Sequence, residues 1–253
     1  MANYHMTENK YLESILINGL IPQRGVRSNL IGDSKTAVFY SKGYEGAIAM
    51  FFMMIEQFVN YRGDIGDMHI DYYNTFMQMA SDKLRSGLML GTKLNEAIER
   101  EKKIVDIINK VRSVRDWKEF LGDGVYLKLN NIYEEEAFSS EHSFYNSWTT
   151  SKVASNDICV MSLINRKTGE MLSSKYDVID YFMSKVSLEK MKKILYDTDL
   201  KESKRESHLL WKIMSQYYED NKDLIENCSR KYDLVEIPLS SYLNQKNKKT
   251  SRL

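Results

Sequence analysis

Five side chains in the first forty residues could together bind a nucleotide. His5 and Thr7 are two positions apart in a segment predicted to be extended, so they lie on one face of a strand. A histidine beside a hydroxyl can form hydrogen bonds with the vicinal hydroxyls of a ribose. Tyr40 offers an aromatic face on which a flat ring can stack. Arg24 and Arg27, in a polar loop, can hold phosphate oxygens bidentately.

Each of these residues also has an ordinary structural explanation. His5 fits a hydrogen-bonded histidine on a strand. Thr7 fits the N-cap of a helix predicted over residues 8–18. Tyr40 is one of 17 tyrosines and could pack in a core, and the two arginines could be solvated surface charges. The sequence alone leaves both sets of interpretations open.

Hydrophobic patterning predicts the elements that must position these side chains. The first predicted helix ends at Asn18-Gly19, where glycine supplies the conformation that stops a helix. A mostly helical insertion is predicted at about 66–121, and further amphipathic helices are predicted over 188–196 and 208–227. Short apolar or alternating runs predict strands near 3–7, 37–41, 125–130, 157–164 and 233–239.

These elements predict an α+β protein with a small mixed or antiparallel sheet. No linker rich in proline, glycine and serine interrupts the chain, so we expect a single domain over 1–243. The polar, basic residues 244–253 are expected to form a flexible tail.

Composition excludes several classes of protein. Lys plus Arg number 36 and Asp plus Glu number 35, so a global basic field for gripping duplex nucleic acid is absent. The two cysteines, Cys159 and Cys228, are far apart, which argues against a zinc cluster or a disulfide framework. No apolar run approaches the roughly 20 residues of a membrane span, and the polar amino end does not resemble a signal peptide. We therefore expect a cytoplasmic protein without a membrane partner or a metal.

The run YHMTENKYLESILINGLIP, followed by a strand with Phe39, Tyr40 and Ser41, resembles the opening of the ADP-ribosyltransferase fold. That superfamily includes poly-ADP-ribose polymerases, diphtheria-toxin-like enzymes and RNA 2′-phosphotransferases. The resemblance implies that His5 contacts the nicotinamide ribose of NAD and that Tyr40 stacks on nicotinamide. It also implies that Thr7 and Ser41 belong to the NAD-binding group. The two loop arginines join this group as phosphate-binding candidates because of their own chemistry.

The family's third element is an acidic residue on or before a later strand. The sequence offers Glu134, Glu135 and Glu136 in one run and Glu141 in the segment SSEHSFYNSWTT. We favour Glu141 as the catalytic acid, because its segment is rich in serine, asparagine and aromatic residues, as substrate-facing turns are. The acid would orient a ribose hydroxyl and stabilise the charge that develops on the ribose.

The function implied by the resemblance is cleavage of NAD and transfer of ADP-ribose to a protein, a nucleic acid or water. The composition, rich in Lys, Asn, Ile and Tyr, suggests a bacterial or phage source, and a toxin or defence role follows by analogy only. A second hypothesis is transfer of an RNA 2′-phosphate to NAD, which needs several arginines; Arg24, Arg27 and Arg62 are the available ones. A third is a catalytically inactive binding module of the same fold.

Overall fold

A computed structural model describes residues 2–23, 36–132, 147–197 and 204–250 of the chain. Within these ranges, no helix combines the length and the apolar character that crossing a membrane requires. The described residues form a seven-stranded sheet in which every pairing is antiparallel. Its strands are β1 (Asn3–Glu8), β2 (Val38–Lys42), β3 (Gly124–Leu129), β4 (Ser147–Thr149), β5 (Ile158–Asn165), β6 (Met171–Leu172) and β7 (Tyr232–Pro238).

Helices supply most of the remaining described structure. Two short 3₁₀ turns, Asn9–Tyr11 and Ser155–Asp157, lead into α1 and β5. The described α-helices are α1 (Leu12–Asn18), α2 (Gly43–Arg62), α3 (Asp64–Arg85), α4 (Thr92–Ser113), α5 (Trp117–Leu121), α6 (Lys175–Met183), α7 (Leu188–Asp197), α8 (Lys204–Asp220), α9 (Lys222–Lys231) and α10 (Leu239–Thr250).

The strand order is β4-β2-β1-β3-β5, with β6 and β7 both paired to β5. β1 pairs with β3 along its whole length, from Asn3 opposite Leu129 to Glu8 opposite Gly124. All seven residues of β7 pair with β5, from Pro238 opposite Cys159 to Tyr232 opposite Asn165. The amino end and a strand near the carboxyl end therefore belong to one sheet.

Alternation along β3 explains how the sheet is buried on both faces. Val125, Leu127 and Leu129 point to one face and are at most 2% exposed. Together with side chains of α1 and α10 they form a core cluster that includes Leu12, Ile15, Leu239, Tyr242 and Leu243. Burying each large apolar side chain stabilises the fold by about 1.5–3 kcal/mol. This first face is also the face of His5 and Thr7, which stand opposite Leu127 and Val125.

The second face packs against α2 and α6. The ring of Tyr126 lies 5.3 Å from that of Phe182, centroid to centroid, and its hydroxyl donates a hydrogen bond to the Ala47 carbonyl at 3.3 Å. Burial raises the pKa of the Tyr126 phenol far above its ordinary value, so the hydroxyl remains a donor. Tyr4 on β1 also contacts Phe182, with ring centroids 5.0 Å apart.

The described chain divides into two compact units. Residues 2–23, 37–54 and the described residues from 122 onwards form the first, which contains the whole sheet. Ile55–Leu121 belongs to the second. The second unit has its own apolar cluster around Phe58, Tyr61 and Ile108.

Most of the sequence-based element predictions agree with this structure, and four do not. All five predicted strands are present, whereas β4 and β6, with three and two residues, were not predicted as strands. Thr7 does not cap a helix, because β1 continues to Glu8 and α1 begins only at Leu12. The single helix predicted over 208–227 is broken at Asn221. Residues 244–250 are helical in α10 rather than a frayed tail, and 251–253 lie outside the described residues.

Replacing Gly19 should test the close contact between the end of α1 and the Val153 backbone. Gly19 has φ 69° and ψ −176°, and a Cβ there would lie 2.4 Å from the Val153 carbonyl oxygen. Gly169, in the same unit, also has φ 69°, but a Cβ there would meet nothing within 4 Å. We expect Gly169→Ala to lower the free energy of unfolding by about 1–2 kcal/mol, from backbone strain alone. Gly19→Ala should lower it by about 3 kcal/mol or more. Urea denaturation measures both, and equal losses would contradict the close contact.

Candidate functional site

His5 lies where two neighbouring strands stop pairing. β1 pairs with β2 at only two positions, Asn3 with Lys42 and Tyr4 with Ser41. At the next position the contact between the strands is made by the His5 ring, whose Nδ1 lies 2.7 Å from the Phe39 carbonyl oxygen of β2. A side chain thus replaces a backbone pair between the two strands.

This contact sets the chemistry of the His5 ring. Because a carbonyl oxygen only accepts hydrogen bonds, Nδ1 must carry the proton. In the neutral ring, Nε2 is then the acceptor nitrogen, which suits a donor such as a ribose hydroxyl. The His5 side chain is half-buried, so the surrounding structure restricts its orientation.

Tyr40 lies on the same face of the sheet as His5. Continuing the β1–β2 register by one residue places Tyr40 opposite His5, and both face the first core cluster. Tyr40 is 2% exposed and packs within that cluster, so its ring offers no open face in this structure. The predicted stacking of Tyr40 on nicotinamide requires access to a ring that is enclosed in this conformation. Its core-packing interpretation accounts for the observed burial.

Of Ser41 and Thr7, only Thr7 lies on the His5 face of the sheet. Successive side chains of a strand point to opposite faces, so Ser41 lies on the other side of the sheet from Tyr40. Its Oγ is buried and donates to the Tyr4 carbonyl at 3.3 Å. Ser41 and Tyr40 therefore do not face one ligand from the same side. Thr7 is half-buried and stands opposite Val125, on the His5 face.

Arg24, Arg27 and Glu141 lie outside the described residues. The described residues that flank their segments are both next to β2. Gln23 pairs with Ala37, immediately before β2, and Ser147 of β4 pairs with Tyr40 itself.

Sequence reasoning missed two hydroxyls beside Tyr40. Ser147 and Thr149 of β4 stand opposite Tyr40 and Val38, and each is 1% exposed. Thr149 Oγ1 accepts a hydrogen bond from the Ser151 backbone N–H at 3.1 Å. The alternation of Ser-Trp-Thr was the available signal, because two hydroxyls spaced by two residues share a strand face. The face therefore carries His5, Thr7, Tyr40, Ser147 and Thr149.

Two cavities lie in the first unit, and the smaller one borders the His5 face at Val125, which stands opposite Thr7. One, of about 260 Å³, is lined by polar groups that include Asn9, Asp123 and Ser173. The other, of about 350 Å³, includes Asp177 and Cys228. Burial raises the pKa of the Asp177 carboxyl and raises that of the Cys228 thiol to about 12. A thiol with that pKa is protonated at neutral pH and makes a poor nucleophile.

Within the described ranges no cluster of three or more His, Cys, Asp and Glu side chains is arranged to hold a metal ion. Comparisons of the chain with protein-family models, with curated proteins and with solved structures find no match.

Replacing Tyr40 with alanine should show how much its buried ring contributes to the free energy of unfolding. Because Tyr40 is 2% exposed in the core cluster, Tyr40→Ala should lower the free energy of unfolding by about 3–5 kcal/mol. Tyr11→Ala, at a tyrosine that is 49% exposed in the same unit, should change it by about 0.5 kcal/mol or less. Urea denaturation monitored by circular dichroism measures both. A loss below about 1 kcal/mol for Tyr40→Ala would contradict its core position.

Proposed function

We propose that this chain is an NAD-dependent ADP-ribosyltransferase-like enzyme that breaks the nicotinamide–ribose bond. The observation that carries the proposal is the position of His5 where β1 and β2 stop pairing, with Nδ1 fixed by the Phe39 carbonyl. Thr7 on the same face supports it, as does the sequence resemblance of the first fifty residues.

In this proposal His5 binds rather than transfers a proton. Its Nε2 accepts a hydrogen bond from a hydroxyl of the nicotinamide ribose, and the Phe39 carbonyl keeps the ring in the required tautomer. Thr7 adds a hydroxyl on the same face of β1, and Arg24 and Arg27 hold the phosphates. These groups fix the sugar before the bond breaks.

Glu141 is the proposed acid, and its carboxylate stabilises the positive charge that develops on the ribose. The C1′–N bond breaks with its electron pair, which leaves with neutral nicotinamide. An oxygen or nitrogen nucleophile of the acceptor, or water, forms the new bond to C1′ and loses its proton to solvent. A protein or a nucleic acid is the proposed acceptor.

A second candidate function is a binding module of the same fold without catalysis. The specific observation that favours it is the burial of Tyr40 and Ser41, both 2% exposed. Stacking on nicotinamide requires access to the Tyr40 ring, which the core cluster covers. A module that recognises its partner by another surface needs no such access.

The RNA 2′-phosphotransferase alternative receives less support. It requires arginines that can reach several phosphates. Arg62 already donates hydrogen bonds to the carbonyl oxygens of Arg115 and Val114, at 2.9 and 3.0 Å. Those contacts hold the guanidinium of Arg62, the last residue of α2, against the two carbonyls that follow α4 in the second unit.

Release of nicotinamide from NAD tests the proposed reaction. Wild-type protein should release nicotinamide, and His5→Ala should lower the rate at least about 100-fold, because the ribose loses its positioning contact. Asn3→Ala is the matched control, since Asn3 shares the His5 face of β1 but lies outside the proposed site. Its rate should remain within about threefold of wild type. The loss of the Phe39 contact should cost His5→Ala only about 1 kcal/mol of stability.

The catalytic acid is tested in the same assay. Glu141→Ala should abolish turnover, whereas Glu134→Ala, Glu135→Ala and Glu136→Ala should retain it. No nicotinamide release by wild-type protein would contradict the enzymatic proposal. A rise in melting temperature with NAD but without turnover would favour the binding module. Reaction only in the presence of 2′-phosphorylated RNA would favour the phosphotransferase.

A further inference from the structure

Two antiparallel helices of the second unit, α3 and α4, are joined by a short apolar turn. Arg112, near the end of α4, donates a hydrogen bond to the Asp67 carboxylate, near the start of α3, at 2.6 Å. The residues that connect the two helices therefore lie at the opposite end of the pair. We call residues 84–91 the hairpin tip.

Large apolar side chains of the hairpin tip face solvent. Leu84 and Leu88 are each 60% exposed, and Met89 is 92% exposed. A Cβ added at Gly87 or at Gly91 would meet no described atom within 4 Å, so the turn projects into open space. Contiguous exposed apolar residues of this kind mark interaction surfaces in soluble proteins.

Backbone hydrogen bonds hold the hairpin tip in a defined shape. The Leu88 N–H donates to the Lys83 carbonyl at 3.0 Å, and the Gly87 N–H donates to the Leu84 carbonyl at 3.1 Å. With Gly87 at φ 74°, these two bonds form a Schellman motif. The residue after the glycine of this motif usually packs on an apolar side chain of the preceding turn. The positions available to Leu88 are Asp82 and Lys83, which are charged, so Leu88 remains exposed.

Three cations lie beside the apolar side chains of the hairpin tip. Lys83 and Arg85 are in the last turn of α3, and Lys93 is in the first turn of α4, which has no acidic residue. The helix dipole favours cations at the carboxyl end of α3 but disfavours Lys93 at the amino end of α4. The energetics of the helix ends therefore do not explain Lys93.

The acidic residues of the two helices lie farther back from the apolar turn. The Asp82 carboxylate accepts a hydrogen bond at 2.9 Å from Gln78, one turn further from the turn. Glu96 begins the second turn of α4. Asp71 is about 20 Å before Leu84 along the helix axis. That distance exceeds the Debye length of about 8 Å at physiological ionic strength, so an approaching surface meets mainly the three cations.

We propose that the hairpin tip inserts into the surface of a membrane of anionic lipids. Leu88 and Met89 enter the boundary between headgroups and acyl chains, which takes up apolar groups to a depth of about 5–10 Å. Helix side chains lean towards the amino end of their helix, so Lys83 and Arg85 lie behind the inserted residues, at the depth of the lipid phosphates. A lipid partner differs from the expectation drawn from composition, which rested on the absence of a spanning run.

Size and charge favour a lipid surface over a protein partner. A stable protein interface uses roughly 20–30 residues on each side, and a projecting turn offers far fewer. A lipid surface needs only a few inserted side chains, because each nearby cation adds about fivefold to the affinity for anionic headgroups.

Sedimentation with lipid vesicles tests this contact. Wild-type protein should sediment with vesicles of equal parts phosphatidylglycerol and phosphatidylcholine, and much less with phosphatidylcholine alone. The double variant Leu88→Ser/Met89→Ser should lose at least about tenfold in affinity, because the inserted apolar area is removed. Ile65→Ser is the matched control, since Ile65 is 40% exposed at the other end of α3. It should bind within about threefold of wild type, and circular dichroism should show that every variant folds.

Charge removal and fluorescence test the orientation of the hairpin tip. Arg85→Gln and Lys93→Gln should each lower the affinity for the anionic vesicles about fivefold. Lys103→Gln, at an exposed lysine in the middle of α4, should change it less than about twofold. Met89→Trp should add fluorescence that moves to shorter wavelength when anionic vesicles are present, because position 89 leaves water.

Four results would each overturn the proposal. They are a wild type that does not sediment with the anionic vesicles, equal losses for the double variant and for Ile65→Ser, equal losses for Lys93→Gln and Lys103→Gln, and no wavelength shift for Met89→Trp. A wild type that ignores vesicles but forms oligomers that the double variant loses would assign the hairpin tip to a protein contact instead.

Discussion

The uneven pairing of β1 is the constraint on which the candidate site depends. β1 pairs with β3 at all six of its residues but with β2 at only two, so one side of the strand is fixed while the other opens after Tyr4. The His5 ring fills the first position of that gap and donates to the Phe39 carbonyl at 2.7 Å. A hydrogen bond of this kind contributes about 1 kcal/mol to stability, and it also fixes one tautomer of the ring. The same hydrogen bond therefore connects β1 to β2 and determines which nitrogen of the neutral His5 ring can accept a hydrogen bond.

The face that carries His5 also carries a buried core cluster of the first unit. Tyr40 lies opposite His5 but is 2% exposed, and Ser147 and Thr149 beside it are 1% exposed. Buried hydroxyls in an apolar cluster are retained only with hydrogen-bond partners, as Thr149 has in the Ser151 N–H. The site thus combines one half-accessible histidine with polar groups that are enclosed. Stacking of nicotinamide on Tyr40 would require the core cluster to expose that ring. Binding of a partner through another surface would not.

The sequence predicted the elements well, because local patterns determine them. Alternation identified β3, and the Asn18-Gly19 pair identified the end of α1, where the observed φ of 69° requires glycine. β4 could not be found this way, since three residues give no periodic signal and the strand exists through its pairing with β2. Thr7 was misassigned as a helix cap because the pairing of β1 with β3 extends the strand through Glu8.

The site was predictable only in part. The proximity of His5 and Thr7 follows from their spacing on one strand, and the opposite orientation of Tyr40 and Ser41 follows from the same rule. The burial of Tyr40 could not be inferred, because it depends on long-range contacts with α1 and α10 through the core cluster. The hydrogen-bond partner of the His5 ring could not be predicted either. Phe39 is 34 positions away in the sequence, and only the register of β1 and β2 brings it close.

The central claim is that the His5 face of β1 binds the nicotinamide ribose of NAD. A crystal structure of the protein with a non-hydrolysable NAD analogue tests it most directly. The account predicts a ribose hydroxyl within hydrogen-bond distance of His5 Nε2, with the Glu141 carboxylate near the same sugar. An analogue bound away from the His5 face, or no bound analogue at saturating concentration, would contradict it.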